Sequence, residues 1–510
     1  MGAEGEGKGC DPVECSADWG QPVPFTPTRW HTMHTFRPMA PTSSVLPDRT
    51  GLSRMFSFGL LVAAFLLPHP AAGQKPVFVP PGSPPRIHPL PPLREQAEIE
   101  QEWANQRVKT AIPMLMREQG VDMWILSMQE YGEDPVFWAI KAPTTFAARR
   151  RSIYVFFDGG PGQEFERLAL GGGTQGGLFE AYTSTRPATG DRPAELVGNE
   201  QWRLLKELVE DRDPGAIALN IDSDWAFADG LGAGEWEALR EALGPEYVAR
   251  VKRVPRLAVE FIAHRIPEMM PLYREREETV HAIISHAFSS AVITPGVTTT
   301  ADVQWWLREK VQELGMTVWF HPSVDVQRAG EIPSGGPVVI EPGDLLWTDF
   351  GTVALNLHTD TQHLGYVLRP GETEAPAGLK ACMAASNRMQ DIVLEKMAVG
   401  LTGNEVLAAT RAQMAAEGIT GTVYNHPIGD HGHGAGPLIG RWDAQEGVPV
   451  RGDIPLRAST WHSIELQARH AIPEWGGKEA SCRQEEEAYL DEEGDRNWVF
   501  RRQVDFHLVW

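Results

Sequence analysis

Five residues in the last third of this 510-residue chain, Asp349, Asp360, His426, Glu465 and Glu486, have the types and settings of ligands for a pair of divalent cations. Asp349 lies in the apolar run Leu345-Leu346-Trp347-Thr348-Asp349-Phe350-Gly351, which reads as a buried strand. Asp360 follows eleven residues later, in His358-Thr359-Asp360-Thr361-Gln362-His363-Leu364-Gly365, which reads as the returning strand of a hairpin. A carboxylate among buried strand residues is costly unless its charge is compensated. A divalent cation shared by several carboxylates and an imidazole compensates it. Taken alone, the pair reads equally well as two aspartates at strand ends.

The remaining three residues strengthen the metal reading by their order. His426-Pro427-Ile428-Gly429-Asp430-His431-Gly432-His433 sets two histidines, His426 and His433, seven residues apart, with a glycine three after the first. Ser463-Ile464-Glu465-Leu466 places a carboxylate in another strand-like run, and Gln484-Glu485-Glu486-Glu487-Ala488-Tyr489-Leu490 does so again. Each segment has a plain reading: a surface turn for the histidine loop, a solvated edge for the acidic cluster. Hard oxygen donors plus one imidazole, without thiolate, suit Mn²⁺ first and also Co²⁺, Zn²⁺ or Fe²⁺, and disfavour a structural zinc site.

With these motifs in view, residues 275–510 resemble the pita-bread metallopeptidases: methionine aminopeptidase, aminopeptidase P, prolidase and their metal-free relative creatinase. The resemblance implies Asp349 and Asp360 as the first ligand pair, His426 with Gly429 as the ligand histidine, and Glu465 as the next ligand. It implies Glu486 as the last, bridging ligand, with Glu485 the alternative if the register slips by one. His433 falls where the family keeps a histidine that contacts substrate and transition state, although Gly436 three residues later makes it an alternative ligand. His426 is preferred because it leaves a histidine seven residues downstream. His431 and His363 are candidate substrate-cleft residues, with ordinary loop histidines as the plainer reading.

The chemistry implied is hydrolysis. Two divalent ions sharing a water lower its pKa from ~15.7 toward ~7. Asp360 and Glu486 would bridge the ions, Glu465 would ligate one and accept a proton, and His433 would hydrogen-bond the developing oxyanion. Two departures bear on substrate. Peptidases of this group carry another histidine about seventeen residues before the first aspartate, where Glu331 and Ile332 stand here; His321 is the nearest candidate and reads as structural. An arginine common soon after the second aspartate is replaced by His363.

Composition fits a large enzyme with two cores. A net charge of −22 argues against a nucleic-acid partner, since phosphate binding needs clustered Lys and Arg, and Arg149-Arg150-Arg151 is too short to reverse this. Residues 1–54 are irregular and read as an over-extended leader. From about Met55, an apolar segment ending near Ala71-Ala72-Gly73 has the form of a signal peptide (55–73), too short for a comfortable membrane span. The expectation is a secreted or periplasmic protein with no stable membrane partner; an uncleaved membrane anchor is the alternative. Cys382 and Cys482 remain in the mature chain, either paired or as buried thiols.

A Pro-rich linker (74–92) precedes the first domain (93–270), where strands at Met123–Met128, Ile153–Phe157 and Ala216–Ile221 alternate with helical patterns. This α/β domain is similar to the amino-terminal domain of aminopeptidase P, prolidase and creatinase. The second domain (275–510) is expected as an α+β pita-bread catalytic domain, with helices at Glu277–Ser290, Val303–Leu314, Ala377–Ala398 and Val406–Glu417. Two similar helical passages, each followed by ligand-bearing strands, fit the internal pseudo-symmetry of that fold.

The favoured function is a metal-dependent peptidase cutting Xaa-Pro bonds in peptides, of aminopeptidase P or prolidase type; the proline preference comes from the resemblance alone. The alternatives are a non-peptidase hydrolase on the same scaffold, as in creatinase, and an inactive binding module. The resemblance also makes a homodimer an expectation, though no dimer face is marked in the sequence.

Overall fold

The computed structural model describes residues 83–510. The leader, the signal peptide and the first part of the Pro-rich linker lie outside the described residues; residues 83–92 carry no regular secondary structure.

In Met123-Trp124-Ile125-Leu126, alternate side chains enter two different cores. Trp124 and Leu126 pack with the helices Leu93–Glu118 and Pro255–Ala263. Met123 and Ile125 pack with the helices Asn199–Arg212 and Ala233–Val248. A strand covered on both faces must be apolar throughout, which is why this run lacks alternation. The strands β1 (Met123–Gln129), β2 (Arg151–Asp158), β3 (Phe165–Leu170), β4 (Glu180–Tyr182), β5 (Ile217–Leu219) and β6 (Val251–Arg253) form one mixed sheet in the order β4-β3-β2-β1-β5-β6. The hairpins β1–β2 and β2–β3 are antiparallel, while β5 and β6 add in parallel.

The second sheet carries the candidate ligands. Its strands are β8 (Ser323–Gln327), β9 (Leu345–Phe350), β12 (Thr361–Val367), β13 (Thr420–Val423), β14 (His426–Ile428), β15 (Thr460–Ala471), β16 (Glu479–Leu490), β17 (Arg496–Trp498) and β18 (His507–Val509). They run in the order β13-β15-β16-β12-β9-β8, with β14 on β15, β17 on β16 and β18 on β12. β10 (Thr352–Ala354) and β11 (Leu357–His358), between β9 and β12 in the hairpin, form a small sheet with β7 (Thr317–Val318), which precedes β8 and pairs with β10.

Helices Met270–Ala287, Thr300–Glu313, Ala377–Lys396 and Gly403–Ala416 accompany this sheet. The first starts earlier than its periodicity suggests because Pro271 is tolerated in a first helical turn. Thr299 with Asp302 and Thr402 with Glu405 form the same reciprocal capping box, so the two helical passages begin alike. Cys382 and Cys482 form a disulfide with Cα atoms 6.0 Å apart, tying the third helix to β16. Closing a loop of 100 residues is worth about 2–4 kcal/mol, with an entropic ceiling near ~4.7.

Candidate metal centre

The hairpin explains the eleven-residue spacing of the aspartates. β9 and β12 pair antiparallel with Asp349 opposite Gln362, and Asp360 lies two residues before Gln362 on the same face. Between them β10 and β11 turn through Leu355 and Asn356, both at positive φ (50° and 56°). His426 enters on β14 opposite Ser463 of β15, and Glu465 lies two residues further on. Gly429 follows His426 for a steric reason: a side chain there would run into the Arg265 guanidinium. Its carbonyl also accepts from the His358 backbone N–H at 2.8 Å.

On β16 the register decides the last ligand. Glu465 pairs with Glu485 and Ile464 with Glu486. Directly opposed residues share a face, so Glu485 joins the candidate ligands and Glu486 points away. The expectation for Glu486 is therefore corrected: the residue that reaches the cluster is Glu485. His363 is corrected for the same reason. It is an odd-numbered neighbour of Gln362 on β12, fully enclosed on the far face, and cannot line a cleft.

Two groups of ligand atoms, each within 4.8 Å of one another, result: Asp349, Asp360 and Glu485, and His426, Glu465 and Glu485. Glu485 belongs to both. A third group joins Asp360, His426 and His433. His426 Nδ1 faces the Pro427 carbonyl at 3.0 Å, leaving Nε2 toward Glu485 at 3.1 Å and Asp360 at 3.6 Å. An imidazole held through one nitrogen and aimed with the other is the usual posture of a metal-ligating histidine.

The carboxylates are positioned by neighbours that sequence reading did not single out. Gln362 donates to Glu485 at 2.8 Å and to Glu465, and accepts from the Trp347 indole N–H at 3.0 Å. Ser463 donates to Glu485 at 2.6 Å. Asp349 Oδ1 and Asp360 Oδ1 are buried without a hydrogen-bond partner. The signal that could have found Gln362 and Ser463 is the strand period of two from Asp360 and Glu465.

Electrostatics describe a site in want of positive charge. Burial, then the charge of Glu485, pushes the Asp349 carboxyl up to about 8 and those of Asp360 and Glu465 well above the usual range. Burial disfavours the His426 imidazolium, but the hydrogen bond to Glu485 and the charges of Glu485 and Glu465 raise it to about 9. Burial and the charges of Glu465 and Glu485 likewise hold the Tyr424 phenol in its neutral form. Orphaned carboxylate oxygens and hard donors in two groups sharing Glu485 fit a pair of divalent cations.

Glu486 has its own setting behind the sheet. It lies 2.8 Å from His281 Nε2 and 3.1 Å from His363 Nε2, and accepts from the Gln503 backbone N–H at 2.7 Å. Burial raises its carboxyl, but His281 and His363 outweigh it and hold it down to about 2. His363 Nδ1 meets His507 Nε2 at 3.0 Å, so this network is closed by hydrogen bonds.

The other histidines spread along the approach. His433 is exposed, its ring 4.9 Å from that of His426. His431 sits away from the carboxylates, 4.9 Å from Phe227 of the first domain and 6.2 Å from His358. Below it, Asp430 is enclosed between Arg107 at 2.8 Å and Arg265 at 3.2 Å. His321 is exposed and bonded to Arg308, and Glu331 is exposed and paired with Lys478 at 2.9 Å, so neither replaces the absent upstream histidine.

No curated protein sequence matches the chain. Among solved structures it is similar to an X-Pro aminopeptidase from Thermotoga maritima MSB8, at 18% identity and a TM-score of 0.54, covering 78% of this chain and 100% of that one. It is also similar to a Xaa-Pro dipeptidase from Bacillus anthracis, at 17% identity and a TM-score of 0.53, covering 80% and 100%. Dipeptidase PepE from Mycobacterium ulcerans matches at 17% identity and a TM-score of 0.50, covering 80% and 98%. At these identities the likeness is one of fold. Residues 274–491 match the profile of Metallopeptidase family M24. That match, on the pita-bread fold and over the strands that bring the carboxylates together, makes this part of the chain a member of metallopeptidase family M24.

Proposed function

We propose that the protein is an exported, metal-dependent peptidase that hydrolyses Xaa-Pro bonds, with Asp349, Asp360, His426, Glu465 and Glu485 holding two divalent cations. The observation that carries this reading is the pair of ligand groups joined through Glu485, with the exposed His433 ring beside them. Divalent cations bound there supply Lewis acidity, polarising a peptide carbonyl and lowering the pKa of water. Glu465, partly exposed at the edge of the cluster, accepts the proton released by the attacking water. His433 donates a hydrogen bond to the carbonyl oxygen as charge develops on it. Gln362 and Ser463 keep Glu485 oriented, so that little reorganisation accompanies the reaction.

The proline preference is supported by the names of the similar structures, an X-Pro aminopeptidase and a Xaa-Pro dipeptidase. Export is supported by the apolar segment from Met55 and by the Cys382–Cys482 disulfide, a bond that persists in oxidising compartments. Mn²⁺ leads among the candidate ions because oxygen donors dominate the set.

Stripping metal from protein that begins near Lys75 is expected to abolish cleavage of Xaa-Pro peptides, and Mn²⁺ to restore it with about two ions per chain. Dipeptides cleaved in preference to longer peptides would make it a prolidase; the reverse would make it an aminopeptidase P. Metal uptake without peptide cleavage would move the reading to another hydrolase, and failure to bind metal would end it. Mass measurement of the protein recovered from outside the cytoplasm should find its first residue near Gly73, whereas a mass that includes residues 55–73 would defeat the cleaved-signal reading.

A further inference from the structure

Trp319 is wedged between the segments that carry the candidate ligands. Its indole N–H donates at 2.9 Å to the carbonyl of Thr359, the residue before Asp360. Its N–H edge lies against Gly351, two residues after Asp349, and one face of the ring lies against Gly432, beside His433. A methyl group at either glycine would overlap the indole, so both backbones are bare where the ring passes. Its ring centre is 5.2 Å from that of His433, at 77°, and 6.2 Å from that of His358. It nevertheless remains partly exposed, beside the exposed His433. A large aromatic fixed by a hydrogen bond and two glycines, still partly exposed and next to the candidate substrate histidine, is a prepared apolar surface.

We infer that Trp319 is a specificity-determining residue and that its open face receives the pyrrolidine ring of the substrate's proline. The inference rests on the Xaa-Pro reading above. A proline residue has no amide N–H to offer and a rigid ring, so an enzyme can select it only by shape and dispersion. An indole provides the largest flat surface among side chains. The hydrogen bond to Thr359 and the glycine slots hold that surface in place before substrate arrives, which lowers the ordering cost of binding.

The test uses metal-loaded wild-type enzyme, Trp319→Phe, Trp319→Leu and Trp319→Ala, with paired peptides differing only in proline or alanine after the scissile bond. Trp319→Ala and Trp319→Leu should lose about tenfold or more of the preference for proline in kcat/KM, mainly through a higher KM for the proline peptide. Trp319→Phe should keep most of it, and about two metal ions per chain should remain throughout. Leucine preserves bulk and serves if the alanine variant does not fold. A preference for proline unchanged in the variants, or equal losses on both peptides, would overturn the inference while leaving the Xaa-Pro reading intact. A wild-type enzyme with no preference for proline would overturn both.

Discussion

Glu485→Gln is expected to strip the protein of its metal complement and its turnover, whereas Glu486→Gln should retain both and lose stability. Glu485 is the one residue shared by the two main ligand groups, and its carboxylate also takes hydrogen bonds from Gln362 and Ser463. Loss of residues that merely orient metal ligands costs about 10–100-fold in affinity or activity, so removing the shared charge should exceed ~100-fold. Glu486 faces the other side of β16, against His281 and His363. Its neutralisation leaves the buried His281 imidazolium with Glu277, 3.3 Å away, as its one remaining charged partner, a loss on the order of 3 kcal/mol. Metal analysis, peptide turnover and urea unfolding of both variants separate these effects. Metal loss in the Glu486 variant with retention in the Glu485 variant would reverse the assignment.

Asp430→Asn is expected to destabilise the protein by about 3–5 kcal/mol without removing a candidate ligand. Asp430 is enclosed between Arg107, on the helix Leu93–Glu118, and Arg265, which follows the helix Pro255–Ala263. Asparagine would leave two buried guanidinium groups facing each other without a compensating charge. Burial raises the Asp430 carboxyl, but the charges of Arg107 and Arg265 prevail and hold it below the usual carboxylate value. A depressed carboxylate stabilises the folded state above its unfolded pKa of ~3.9, and that contribution is lost as the pH falls through the folded value. Urea unfolding should therefore show the full difference between wild type and variant at pH 7 and a shrinking one toward strong acid. Equal stability at pH 7 would show that the cluster contributes nothing net.

Much of the candidate site was legible because strands impose a period of two. Asp349 and Asp360 could be placed on a hairpin from local sequence alone. Gly429 did not by itself single out His426, since Gly436 stands in the same relation to His433; that choice came from the family resemblance and the histidine seven residues downstream. The helices that follow Thr299 and Thr402 were recognised but started three residues late, at Val303 and Val406, because their first turns hold capping and small residues and carry no apolar period. The run Gln484-Glu485-Glu486-Glu487 was different. Four consecutive polar residues contain no internal clue to which parity faces the cluster, and the choice of Glu486 was off by one. The cysteines posed a similar problem, because pairing depends on whether two segments 100 residues apart meet.

The sequence by itself determined the kind of chemistry: the donor types, their order, and the strands able to hold them are covalent and local facts. Only the tertiary structure decided which donors share a face. The pairing of Glu485 with Glu465 and Gln362 turned Glu485 inward and sent Glu486 and His363 to a closed network behind the sheet, while packing of other distant segments set Trp319 against Gly351 and Gly432. Register and close packing between distant segments follow from the summed fit of whole strands, and no short stretch of residues encodes that sum.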